Sequence, residues 1–236
     1  MRLLLFAVPF LFLASSLSAA EVTATFSAQV EEDEIDAFGG EVDQAFFNVQ
    51  GDDDAFTVYT LADFDSAMLG LSNLSIGDVT GISLSLAQDN AFFSADGALE
   101  FFLAEDTRVV TLDDTARYIT DGDNVGAEVV GDAFGTLHSL GTGNYAQTND
   151  GDVDTFAFSL DAAGEQFLID QINSGGILRI IGTPGDLGVQ ATYSGATSLL
   201  DPAAAPLLSV TAIPEPGAAT MLAFGLVGLA VRRRRR

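Results

Sequence analysis

Along much of this chain, apolar and polar residues take turns. Val22, Ala24, Phe26, Ala28 and Val30 alternate with Thr23, Thr25, Ser27 and Gln29, the period of a strand with one buried face. Ile82, Leu84 and Leu86 repeat the pattern between Ser83, Ser85 and Ala87, and Phe156, Phe158 and Leu160 share one side of another such run. Ala45–Val49, Phe56–Leu61, Leu99–Ala104, Arg108–Leu112, Val189–Tyr193 and Leu207–Ala212 read as further short strands. Ile177–Ile181 is an unbroken apolar run except for Arg179, the pattern of a central strand buried on both faces. Glycine- and aspartate-rich turns separate these runs: Phe38-Gly39-Gly40, Gln50–Asp54, Asp121-Gly122-Asp123-Asn124, Asp150-Gly151-Asp152 and Thr183-Pro184-Gly185-Asp186. One segment departs from period two. Asp161 can cap a helix over Ala162–Asn173, which Gly175-Gly176 would end. Many short strands with glycine turns predict an all-β, antiparallel sandwich or barrel with one short helix.

The two ends do not belong to that pattern. Met1 and Arg2 form a short basic start, Leu3–Leu13 an apolar core interrupted by Pro9, and Ser18-Ala19-Ala20 a small-residue cleavage site. This is the plan of a secretory signal peptide over residues 1–20, cut after Ala20, with the Sec translocon and signal peptidase as its partners. The sandwich is expected over residues 21–212. At the other end, residues 213–236 run from Ile213 through Pro214-Glu215-Pro216-Gly217 and an apolar stretch, Ala218–Val231, to five arginines, Arg232 to Arg236. Paired prolines cannot propagate helix or sheet, so the tripeptide is an extended break. The apolar stretch would reach about 21 Å as a helix, short of a roughly 30 Å hydrocarbon core. The arginines would stop it on the cytoplasmic side.

These C-terminal residues resemble the PEP-CTERM sorting signal of bacterial surface proteins. The resemblance implies that an exosortase, a membrane-embedded cysteine transpeptidase, recognises Pro214, Glu215 and Pro216 and cuts nearby. Ala218–Val231 would then be a transient span and Arg232, Arg233, Arg234, Arg235 and Arg236 its cytoplasmic stop. The alternative is an ordinary C-terminal anchor, which the short span disfavours. More faintly, residues 42–212 resemble DNRLRE-type modules of secreted bacterial proteins, which are similar to carbohydrate-binding jelly rolls. The segments that carry this likeness are Ala62–Asp65, Ile82–Leu86, Phe101–Asp106, Phe156–Leu160, Asn173–Ile181 and Pro206–Val210. The arginine motif that names those modules is absent, so the likeness implies a jelly-roll-like fold and no ligand.

Setting the ends aside sharpens the charge. Of 34 acidic residues only Glu215 leaves, and of 9 basic residues only Arg108, Arg117 and Arg179 stay, a net charge of −30. A surface of this kind repels nucleic acid. It suits high salt and attracts divalent cations. Cysteine is absent, so neither disulfides nor thiol chemistry are available.

Candidate chemistry is sparse. His138 is the one histidine and sits in an alternating run, where it reads as a surface strand residue. Zinc needs three or four nitrogen or sulfur ligands. Neither a nucleophile-elbow motif nor a lysine for a phosphate loop is present. Carboxylate pairs for glycoside hydrolysis are too numerous to single one out. Without tryptophan, sugar-stacking platforms would fall to Tyr59, Tyr118, Tyr145 and Tyr193. The turns with Asp52–Asp54, Asp121 and Asp123, and Asp150, Asp152 and Asp154 make calcium the candidate ion, as a structural site. The last set begins like an EF-hand loop with Asp161 in twelfth place. Thr155 stands where that loop needs glycine, so the EF-hand is discarded.

Together these features predict a non-catalytic protein without an essential cofactor. It would be exported, pass transiently through the inner membrane and end at the cell surface or in the extracellular matrix, associated with extracellular polysaccharide. A carbohydrate-binding module is the alternative, and a polysaccharide-degrading enzyme the third reading.

Overall fold

A computed structural model describes residues 18–31, 44–51, 57–89, 94–111, 125–198 and 204–213. These form strands β1 (Ser18–Thr23), β2 (Phe26–Glu31), β3 (Phe46–Gln50), β4 (Val58–Asp65), β5 (Val79–Ala87) and β6 (Gly97–Ala104). They continue with β7 (Leu137–Tyr145), β8 (Val153–Phe158), β9 (Ile177–Pro184), β10 (Gln190–Ser194) and β11 (Leu207–Ala212). A 3-10 turn over Ser66–Leu69, a single-turn helix α1 (Ala127–Val130) and a longer helix α2 (Ala162–Ser174) complete the elements.

The strands make two antiparallel sheets. The smaller runs β1-β11-β5-β8, and the larger runs β10-β3-β4-β9-β6-β7, with β2 also paired to β4. Period two decides what lies between them. From the smaller sheet come Ile82, Leu84 and Leu86 of β5, Phe156 and Phe158 of β8, and Leu208, Val210 and Ala212 of β11. The larger sheet answers with Phe64, Phe101, Leu103, Leu178 and Ile180, and α2 adds Leu168, Ile169 and Ile172. Burying one such leucine contributes about 1.5–3 kcal/mol. Gly143 is needed here, because a side chain on β7 at that place would run into the ring of Phe156.

A second apolar cluster covers the outer face of the larger sheet. Ala28, Val30, Tyr59, Leu61 and Ile181 lie against Val110, Val129, Val130 and Phe134. With both faces covered, β9 is the central strand that the apolar run Ile177–Ile181 predicts, and β4 beside it is buried likewise. Helix α2 also follows expectation. The Asp161 carboxylate accepts from the Gly164 amide at 2.8 Å, and Gly175 ends the helix in the left-handed region at φ 68°.

Two expectations about strands need correction. The alternation from Val22 to Val30 is not one strand but two. At Ala24-Thr25 the chain passes from the smaller sheet to the larger, so Val22 and Ala24 face the main core while Ala28 and Val30 face the second cluster. Residues 108–111, expected to open a strand, are irregular. Their carbonyl neighbourhood is claimed instead by Arg179, which is fully buried. Its guanidinium holds Asp63 through two bonds, at 2.7 and 2.8 Å, and donates to the carbonyls of Asp106 and Arg108, each at 2.8 Å. Phe134 lies under the same cation at 5.4 Å.

Candidate functional site

The last described strand leads directly into the sorting residues. β11 lies between β1 and β5, and past its last residue the Ile213 amide still donates to the Asp78 carbonyl at 2.8 Å. Asp78 belongs to a tight turn. Its carboxylate accepts from the Ser75 amide at 2.7 Å, and Gly77, at φ 89°, donates from its amide to Glu165 of α2 at 2.6 Å. The exit of the chain is thus fixed to the helix through one turn. Beside it β5 outruns β8, which pairs only with Ile82–Ala87. The notch left is a cavity of about 210 Å³ lined by Val79–Ile82, Phe158–Leu160 and Glu165.

Ala20, the expected cleavage residue, sits half-buried on β1 directly opposite Val210. Both ends of the folded body therefore leave from neighbouring strands. Pro214, Glu215, Pro216 and Arg232 to Arg236 lie outside the described residues, as do Asp121, Asp123, Asp52–Asp54, Tyr118 and Arg117.

The remaining acidic candidates are not brought together. Asp152 closes its own turn, accepting from the amide and side chain of Asn149 at 3.1 and 3.2 Å. Those bonds hold its carboxyl below the usual range. Asp154 turns inward on β8 and accepts from Gln88 at 2.8 Å and the Tyr193 hydroxyl at 2.9 Å. Burial, and then the Asp154 carboxylate, push the Tyr193 hydroxyl well above its ordinary range. Asp150 is exposed on the turn before them. Among the described residues no group of three or more acidic or histidine side chains is placed to hold a metal ion. The inward turn of Asp154 was available from parity, since it shares a side of the strand with Phe156 and Phe158.

His138 is buried, not a surface residue: it is 8% exposed. Its Nε2 lies 2.9 Å from a Glu105 carboxylate oxygen, and its ring stacks on Phe167 of α2 with centroids 5.8 Å apart. The reason is the helix, which packs over this part of β7 and closely approaches it at Gly164. Tyr59, Tyr145 and Tyr193 are buried as well, at no more than 1% exposure, so none offers a stacking face to solvent.

The described residues end at Ile213, and the C-terminal segment is where a known motif matches. Residues 212–236 match the PEP-CTERM protein-sorting motif. The chain carries a PEP-CTERM signal. It is an exported protein, sorted by an exosortase and anchored transiently in the membrane before processing. The PEP-CTERM match begins at Ala212, so fold and signal share the last residue of β11. No curated protein matches the chain. Among the described residues no helix is long and apolar enough to cross a membrane; the apolar stretch of the PEP-CTERM signal, residues 218–231, lies outside them.

Proposed function

We propose that this chain is a non-catalytic surface or matrix protein whose β-sandwich serves a structural or adhesive role among extracellular polysaccharide. The observation that carries the reading is the direct junction of a PEP-CTERM motif to a self-contained sandwich. Sec-dependent export and removal of residues 1–20 deliver the body across the membrane, and the exosortase then acts near Pro214–Pro216. In that step a peptide bond breaks and its carbonyl passes to the enzyme's thiol, then to water or an acceptor nucleophile. The amine end leaves with the span. The acidic surface keeps the body soluble and draws divalent cations, calcium among them, between neighbouring molecules. Burial of Tyr59, Tyr145 and Tyr193 supports this reading over a carbohydrate-binding module with a tyrosine platform.

The test is the intact mass of the protein from cells with and without an active exosortase. The expected product begins at Glu21 and loses everything beyond about Ile213 only when the enzyme is active. A native protein that keeps Arg236 and stays in the membrane overturns the reading.

A further inference from the structure

Scattered apolar side chains on a protein surface are ordinary. Ile76 differs by its place. It is 60% exposed on the turn Ser75–Asp78, and Ile213, also exposed, is bonded to that turn through the Asp78 carbonyl at 2.8 Å. The turn is held shut, with the Asp78 amide donating to the Ser75 carbonyl at 3.0 Å. The amides on either side of Ile76 each hold an acid: Ser75 donates to the Asp78 carboxylate and Gly77 to that of Glu165. On a strongly acidic body, two carboxylates beside Ile76 are thus turned to backbone donors, and the isoleucine stays bare.

Four residues, Pro214–Gly217, separate Ile213 from the apolar stretch Ala218–Val231. Fully extended, four residues reach no more than about 14 Å. The stretch, as a helix of about 21 Å, falls roughly 9 Å short of a hydrocarbon core, and a short span draws its flanks toward the bilayer. The reach left over is about 5 Å, no more than the depth of one headgroup layer.

We propose that, while the chain is anchored, the turn Ser75–Asp78 rests on the non-cytoplasmic face of the bilayer with Ile76 inserted at the headgroup boundary. The proposal rests on the transient anchoring that the sorting motif carries. The contact is apolar burial under a short tether. Charge does not assist it, since a body of net charge −30 gains nothing from an anionic surface. The occupant is therefore a lipid surface, and a zwitterionic one serves. From this turn β5 runs nine residues, about 27 Å, to Ala87, which pairs with Val153. The body then stands on its Ile213 end, with the turn Asn149–Asp152 facing away from the membrane. Val153, apolar and 61% exposed, lies at that far end and is the matched comparison for Ile76.

The chain has no cysteine, so one introduced thiol takes one label. The test uses the full chain reconstituted into phosphatidylcholine vesicles, a fraction of whose lipids carry a nitroxide on the headgroup. A fluorophore is placed at Ser75→Cys or, in a separate chain, at Val153→Cys. Quenching at position 75 is expected to exceed that at position 153 by about threefold or more. Adding Ile76→Asp to the Ser75→Cys chain is expected to cut its quenching by about half, while the chain still floats with the vesicles. Ile76→Ser, which removes the apolar side chain without adding charge, is expected to show the same fall. Neither substitution touches the apolar clusters of the body. Undiminished quenching in Ile76→Ser overturns the proposal, because the tether alone then accounts for proximity. Equal quenching at positions 75 and 153 overturns it too. So does a position 75 shielded from lipid and water alike in a species of twice the mass, which assigns the turn to a second copy. A full chain that does not float with vesicles overturns the anchored reading, and this proposal with it.

Discussion

Arg179 and Tyr193 are the residues whose chemistry the rest of the body is arranged to satisfy. Arg179 is a fully buried cation with two bonds to Asp63 and two to carbonyls. Removing one partner of such a pair strands the other charge, so Arg179→Met is expected to cost about 3–5 kcal/mol in urea denaturation. Joining it to Asp63→Leu should recover much of that loss, because both charges then leave together. Tyr193 is expected to show its role through pH. Its hydroxyl titrates higher in the fold than in the unfolded chain, so its contribution is complete below about pH 10 and fades as pH rises through the folded value. Tyr193→Phe should lose about 1–3 kcal/mol at neutral pH through the bond to Asp154 and should flatten the alkaline limb of a stability profile. Neither partnership has a local signal, since Asp63 and Arg179 meet only through the pairing of β4 with β9.

Local signals do better for whole elements. Helix α2 was legible because Asp161 and Gly175 mark its ends in the chain itself, and Asp161→Ala should cost about 1 kcal/mol by chemical denaturation. β9 was legible because an apolar run can hardly be placed at a sheet edge. Alternation from Val22 to Val30 marked Val22, Ala24, Ala28 and Val30 as buried but not in which sheet, and it missed the burial of Ser27 and Gln29, which lie in the doubly covered larger sheet. Residues 108–111 misled because their neighbours' carbonyls are taken by a side chain far along the chain. The turn before β8 offers an acid-side test. The Asp152 carboxyl titrates below its unfolded value of about 3.9, so its contribution is present above that value and is lost as pH falls through the folded one. Asp152→Ala is expected to lower the urea midpoint at pH 7, with the gap to wild type closing as pH falls below the unfolded carboxyl value.

For the molecule as a whole, charge and topology set the terms. With 33 acids facing three arginines in residues 21–213, one of them buried, self-repulsion opposes the compact state. Raising sodium chloride from about 0.05 to about 1 M should screen it, so Tm by calorimetry is expected to rise with salt. The sorting signal was legible because it is linear: tripeptide, apolar stretch and arginines follow one another. The pairing that brings Ser18 to Ala212 was not, since it depends on everything the chain does between them. That topology also shapes how the protein comes to be folded. β11 is an interior strand yet the last of the described strands in chain order, so Ser85 of β5 waits for Leu207 across most of the body. Until it arrives the smaller sheet is split, with Val22 on one side of the gap and Leu84 on the other. Closure of the smaller sheet is therefore non-local and is complete only once β11 is in place. In the interval the emerging chain shows open strand edges and bare core, and it is in that interval that it would depend on a holding chaperone.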